Sequence, residues 1–270
     1  MRVYFLFILL VLNIYLNVLT KITDIGTIDI PHLDEIDPSG ATSGLRYLFD
    51  GTNQLLIEEH PIAGVNYVAD CISSFFLVST KKREIDNNIR LDIHELLLKF
   101  KYQVTVLMNS YFKLYKSDVR ISLSYDQKIK IAQNLKNIFH NIFDMVIYPP
   151  DLIKSLKESL SELLNIVSTL FSCKIYNSDF ELSENALDDV VSTYKVIIDK
   201  TDLVHNDTKI NYDEESLKDK NIKTGFFQIF DGVISCMIRS NDNLEHTKDI
   251  LTGLLRVISN FFSESHVVNM

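Results

Sequence analysis

Residues 124–170, SYDQKIKIAQNLKNIFHNIFDMVIYPPDLIKSLKESLSELLNIVSTL, read as two helices of a bundle joined end to end. Ser124 and Gln127 have the spacing of a capping box, in which a hydroxyl and a side-chain amide satisfy the orphan amides of a helix start. From there Ile129, Ala132, Leu135, Phe139, Ile142 and Val146 recur at helical spacing, so the first helix is expected to run to Tyr148 with those residues inside. Pro149 and Pro150 stop it and seed its successor, because proline lacks the amide a helix interior needs yet suits a first turn. In the second helix Ile153, Leu156, Leu160, Leu163, Val167 and Leu170 alternate steps of three and four, leaving Lys154, Lys157, Glu158 and Glu162 off the seam. So short a connection between two amphipathic helices implies that they pack antiparallel.

The same period extends outward in both directions. Upstream, Ile93, Leu97, Phe100, Val104, Leu107, Tyr111 and Leu114 form a seam over 91–116, widened by Leu96, Leu98 and Phe112. Pro61 opens a helix with Val65, Val68, Ile72 and Phe75 on one face, and 45–59 is expected to hold short helical pieces broken at Gly51. Downstream, Ser183 is positioned to cap a helix to Lys200 with Leu187, Val190, Tyr194 and Ile197 inside. The charged run 201–223 is expected to be an exposed connection. Two more helices follow, one over 225–239 with Phe226, Phe230, Val233 and Met237, the other from Asp242 with Leu251, Leu254, Ile258 and Phe261. The expected fold is all-α, an irregular bundle of about seven or eight helices.

The chain opens with MRVYFLFILLVLNIYLNVL, where Arg2 is the only charge before a long apolar run. This is the pattern of an export signal, with cleavage before Lys21 expected and an uncleaved anchor as the alternative. No second apolar run approaches spanning length without interruption, and the end, FFSESHVVNM, lacks the apolar tail of a lipid-anchor signal. The resulting division is a signal over 1–20, an extended arm over 21–44, a single helical domain over 45–265 and a tail over 266–270. Localisation is therefore secreted or extracellular, with membrane attachment only through an uncleaved leader or a partner.

With 27 Lys and Arg against 36 Asp and Glu, the net charge of −9 argues against nucleic acid, whose phosphates demand a basic patch. The three cysteines allow at most one intramolecular pair. Cys173 with Cys236 is the preferred pairing, and the other reading makes all of them small buried apolar residues. Asn206-Asp207-Thr208 is a candidate glycan acceptor. His94-Glu95 begins like a zinc-protease motif, but Leu98 stands where the second imidazole belongs, so His94 is read as a helix-surface residue. The glycines form no phosphate-cradling loop, the histidines and cysteines show no metal-ligand spacing, and the acids at Asp188-Asp189 and Asp213-Glu214-Glu215 suit helix dipoles. Neither catalytic, cofactor-binding nor metal-ligating residues are assigned, and no enzymatic activity is expected. The pairs Phe75-Phe76, Phe226-Phe227 and Phe261-Phe262 should each send one ring inward, for core packing in preference to a lipid pocket.

The leader, the arm DIPHLDEIDPSGATSG and a helical body rich in Lys, Asn, Ile, Leu, Tyr and Phe with no Trp resemble the small secreted or surface seroreactive antigens of piroplasm parasites such as Babesia. The resemblance is one of organisation. It implies exposure to the host, recognition by antibody and binding to a host protein or cell-surface component, at the parasite surface or in the parasitophorous space. The alternative is a carrier of lipid or another small apolar ligand built on a helical bundle.

Overall fold

A computed structural model describes residues 41–82, 87–112, 120–147, 152–173, 184–207 and 217–239. The described residues form seven helices and no strand: α1 (Ala41–Leu56), α2 (Pro61–Lys82), α3 (Asn87–Tyr111), α4 (Tyr125–Ile147), α5 (Leu152–Phe171), α6 (Glu184–Asp207) and α7 (Leu217–Arg239). The all-α bundle anticipated from periodicity is therefore the fold. Leu251 to Phe261, Ser183 and the residues before Ala41 lie outside the described part.

The capping box is present as expected. The Ser124 amide donates to Gln127 Oε1 at 2.9 Å, and the Gln127 amide donates to Ser124 Oγ at 3.3 Å. By contrast, α1 is one helix and not short pieces, and it starts at Ala41, inside the expected arm. Gly51 does not break it, because Gly51 is buried where α1 meets α2. A Cβ there would stand 2.8 Å from Val68 Cγ2 and 3.0 Å from the Gly64 carbonyl oxygen. Reciprocally, a Cβ on Gly64 would lie 2.5 Å from Leu55 Cγ. The two glycines let the backbones approach, and their neighbours show that α1 and α2 run antiparallel.

Each following pair is also antiparallel. Between α2 and α3, Thr105 Oγ1 donates to Asn66 Oδ1 at 2.6 Å, Lys101 Nζ reaches both oxygens of Asp70 at 2.6 and 2.7 Å, and Ser73 Oγ lies 3.0 Å from His94 Nδ1. Between α4 and α5, Gln127 Nε2 donates to Ser172 Oγ at 3.2 Å and Asn137 Nδ2 to Glu162 Oε1 at 3.0 Å, so the start of one helix meets the end of the other. Helix α6 lies along α3, with Lys200 Nζ 2.6 Å from Asp92 and the Phe100 and Tyr194 rings 6.4 Å apart. Helix α7 lies along α4, where Lys136 pairs with Asp231 and the rings of Phe139 and Phe230 stack at 4.2 Å.

All six seam residues of α5 are buried, and Leu152, Ser155, Ser159 and Ile166 extend the buried surface beyond a two-helix seam. Helix α5 packs on α2 as well as α4, which is why a strict heptad underestimates its core. On α4 the inward stripe is rotated from the expected one. Ile131, Ile138, Phe143 and Met145 are buried with Ala132, Leu135, Phe139 and Ile142, while Ile129 is exposed. Leu187 and Leu98 are likewise exposed, whereas Phe75 and Phe76 are both buried because α2 has neighbours on two sides. A second apolar run of spanning length is present but is interrupted by Asp70, in keeping with the expectation of none without interruption. Pro61–Thr80 is long and apolar enough to cross a membrane, although 61% of it is buried inside the bundle.

Ser159 Oγ is buried with no hydrogen-bond partner. A lone buried hydroxyl costs desolvation, and alanine is the better helix former. Ser159→Ala should therefore stabilise the protein by about 1 kcal/mol, measured as an upward shift of the chemical-denaturation midpoint.

Candidate interaction surface

The residues singled out in the sequence fall in scattered places. Asn206 lies in the last turn of α6, since that helix runs to Asp207 and not to Lys200. The expected connection over 201–223 is helical at both ends, α7 starting at Leu217, and Asp213, Glu214, Glu215 and Thr208 lie outside the described residues. Asp188 and Asp189 are exposed near the start of α6. Cys173, expected to pair with Cys236, is a buried free thiol, as is Cys71. Cys236 lies on α7, with its side chain outside the described residues.

Burial raises the Cys71 thiol well above its ordinary pKa, helped by the Asp70 charge. Burial also pushes Cys173 up to about 11, with Glu59 adding to the rise and a hydrogen bond from Gln127 opposing it. Both are thiols at neutral pH, whereas a nucleophile or metal ligand must be a thiolate.

His94 lies at the edge of the surface, partly exposed. It is half-buried between α2 and α3, against Ser73, and burial lowers its pKa although Glu95 pulls the other way. A depressed histidine favours the neutral form on folding, so its contribution is complete above the unfolded value near 6.5 and is lost as pH falls through the folded one. Stability should therefore decline on acidification below that value, and His94→Gln should flatten the decline. Denaturation midpoints between about pH 7.5 and 5 test this.

Polar chemistry concentrates at the end of the bundle where α1 turns into α2. Glu59 is the one described non-glycine residue with positive φ, at 56°. The left-handed conformation is costly for a glutamate, and three contacts hold it there. The Glu59 carbonyl accepts the Ile121 amide at 2.9 Å, its carboxylate meets Lys128 Nζ at 2.9 Å, and the next amide, His60, donates to Gln54 at 2.8 Å. Arg120 Nε donates to His60 Nε2 at 2.8 Å, and the Tyr111 hydroxyl donates to the Phe171 carbonyl. The α1–α2 turn is thus tied to the start of α4, and the end of α3 to the end of α5.

No family model matches the chain, and no curated protein or solved structure matches it. Function is therefore argued from the surface itself. Among the described residues no group of His, Cys, Asp and Glu is arranged to hold a metal ion.

Among the described residues, four of the nine exposed large hydrophobic side chains lie on the outer face of α3. Leu91 is 50% exposed, Leu98 46%, Tyr102 69% and Val106 38%. At 100° per residue these four fall within an arc of about 80°, diametrically opposite the buried Ile93, Phe100 and Val104. Among the described helices, α2 and α6 pack on α3, and neither covers these four residues. Leu98 was the one signal available in the sequence, as a surplus apolar position beside the inner seam. It was assigned to the wrong side because a helix with apolar residues on two faces offers no phase by which to choose.

Proposed function

We propose that the protein is a non-enzymatic exported helical bundle, displayed at or secreted from a parasite surface, that acts by binding host or parasite-surface components through its outer helical faces. The observation that carries this reading is the apolar leader, Arg2 followed by an almost unbroken run to Leu19, placed ahead of a helical body. The polar pairs inside that body support a structural use of its charges. Asp70 with Lys101, Asn66 with Thr105 and Glu59 with Lys128 each join separate segments of the bundle. The organisational resemblance to piroplasm antigens supports exposure to the host.

The test is the intact mass and N-terminal sequence of the native protein, recovered separately from culture supernatant and from membranes. A supernatant form beginning near Lys21 that binds host cells supports the proposal. A form confined to the cytosol with Met1 intact overturns it. A membrane form retaining Met1 keeps the outward display but makes the leader an anchor.

A further inference from the structure

We propose that the outer face of α3 is a self-association surface on which a second copy of this chain docks antiparallel. Along that face the residues run Leu91, Glu95, Leu98, Lys99, Tyr102, Val106. Glu95 and Lys99 are exposed, and among the described residues neither forms an ion pair. The order is close to a palindrome: a large apolar residue, an acid, a centre, a base, a large apolar residue. A twofold axis placed across the helix at position 97 sets Glu95 against the partner's Lys99, twice, and brings Leu91 to within one residue, about 1.5 Å along the helix, of the level of the partner's Tyr102. Leu98 of both copies falls beside the axis. A twofold contact is isologous, so the patch must complement itself, and Leu91, Glu95, Leu98, Lys99 and Tyr102 do so in shape class and charge, while Val106 lies beyond these pairs at the level of the partner's Asn88. A parallel arrangement fails, because it would set Glu95 beside the partner's Glu95 and Lys99 beside the partner's Lys99.

The steps from Leu91 to Glu95 to Leu98 to Tyr102 are four, three and four, the spacing at which one helix presents knobs to another. The inner seam of α3 has the same spacing and is already filled by the bundle, which makes this the helix's second seam. A contact formed by a single helix face is small, so the dimer is a weak, concentration-dependent one, supported by the same charge pairs that set its register.

Sedimentation equilibrium of the full chain, purified in native form from about 1 to 300 μM, tests the proposal. Reversible dimerisation is expected, weakened by high salt. Leu98→Ser, an exposed position whose change leaves the fold intact, should abolish it. Lys99→Glu should weaken it at least tenfold by placing acids opposite one another, and Glu95→Lys combined with Lys99→Glu should restore it. A monomer throughout that range overturns the proposal, as does a dimer indifferent to Leu98→Ser and Lys99→Glu. Failure of the double reversal to restore association overturns the antiparallel register. A chain that dimerises only after residues 240–270 are removed assigns this face to that segment and overturns the proposal as well.

Discussion

Leu160→Asp is expected to abolish the folded state. Leu160 lies in the middle of α5 with 1% of its surface exposed, and α5 packs on both α4 and α2. Truncating such a leucine to alanine costs about 2–5 kcal/mol, through lost transfer energy and an unfilled cavity. Aspartate adds the cost of burying a charge, and its neighbours Leu156, Leu163 and Val167 offer it no partner. The sum is comparable with the whole stability of a domain, about 5–15 kcal/mol. Far-ultraviolet circular dichroism and size exclusion should show an unfolded or aggregated chain. Leu160→Ala should still fold, with a loss of about 3 kcal/mol in denaturant titration. An aspartate variant with an unchanged unfolding midpoint would remove α5 from the core.

Gly64→Ala is the second large effect, and it carries the opposite sign to what helix propensity predicts. In an exposed helix the change would gain about 1 kcal/mol. Here the added methyl would sit 2.5 Å from Leu55 Cγ and 3.2 Å from the Gly51 carbonyl oxygen, a branch-point carbon and a backbone atom, neither of which moves freely. Helices α1 and α2 must separate to admit it. Overpacking of this kind costs about 1–3 kcal/mol, so a net loss of about 2 kcal/mol is expected. A double-mutant cycle with Leu55→Ala identifies the cause. Removing the Leu55 side chain opens the space, so the double variant should lose clearly less than the sum of the two single losses. Strict additivity would show that the two positions do not press on one another.

The bundle was legible where one physical requirement dominated the local sequence. The α5 seam is buried at every expected position because the heptad, the double proline before it and the charges off it all specify one phase. The capping box was legible because it is purely local chemistry between Ser124 and Gln127. Errors fell where long-range packing decides. Gly51 reads as a breaker in isolation, yet it is a point of close approach to Gly64, on a different helix. Leu187 and Ile129 share the helical period of their neighbours but look outward, since period fixes a stripe's existence and leaves its width open. His94 sits at a contact that only the pairing of α2 with α3 creates. The connection between α6 and α7 looked too polar for helix, but solvent-facing turns at the ends of long helices need no apolar residues. As for the candidate surface, its residues were in the sequence throughout, but their exposure follows from how the described helices α2 and α6 pack on the other sides of α3.

On the export route proposed above, Asp70 would matter before the chain folds. A protein that follows its leader through a translocation channel is threaded as a bare strand of sequence, and the channel tests each segment for release into lipid. The Pro61–Thr80 stretch would be a candidate for arrest there, and Asp70 stands midway along it. On the insertion scale a central aspartate weighs about +3 kcal/mol against lipid, while each leucine, isoleucine, valine or phenylalanine favours it by about 0.3–0.6. One carboxylate thus offsets several of the apolar neighbours that make α2 a core helix and tips the segment toward passage. On the proposed export route, the carboxylate that weighs against arrest in lipid would then be taken up by Lys101, where it clasps α2 to α3.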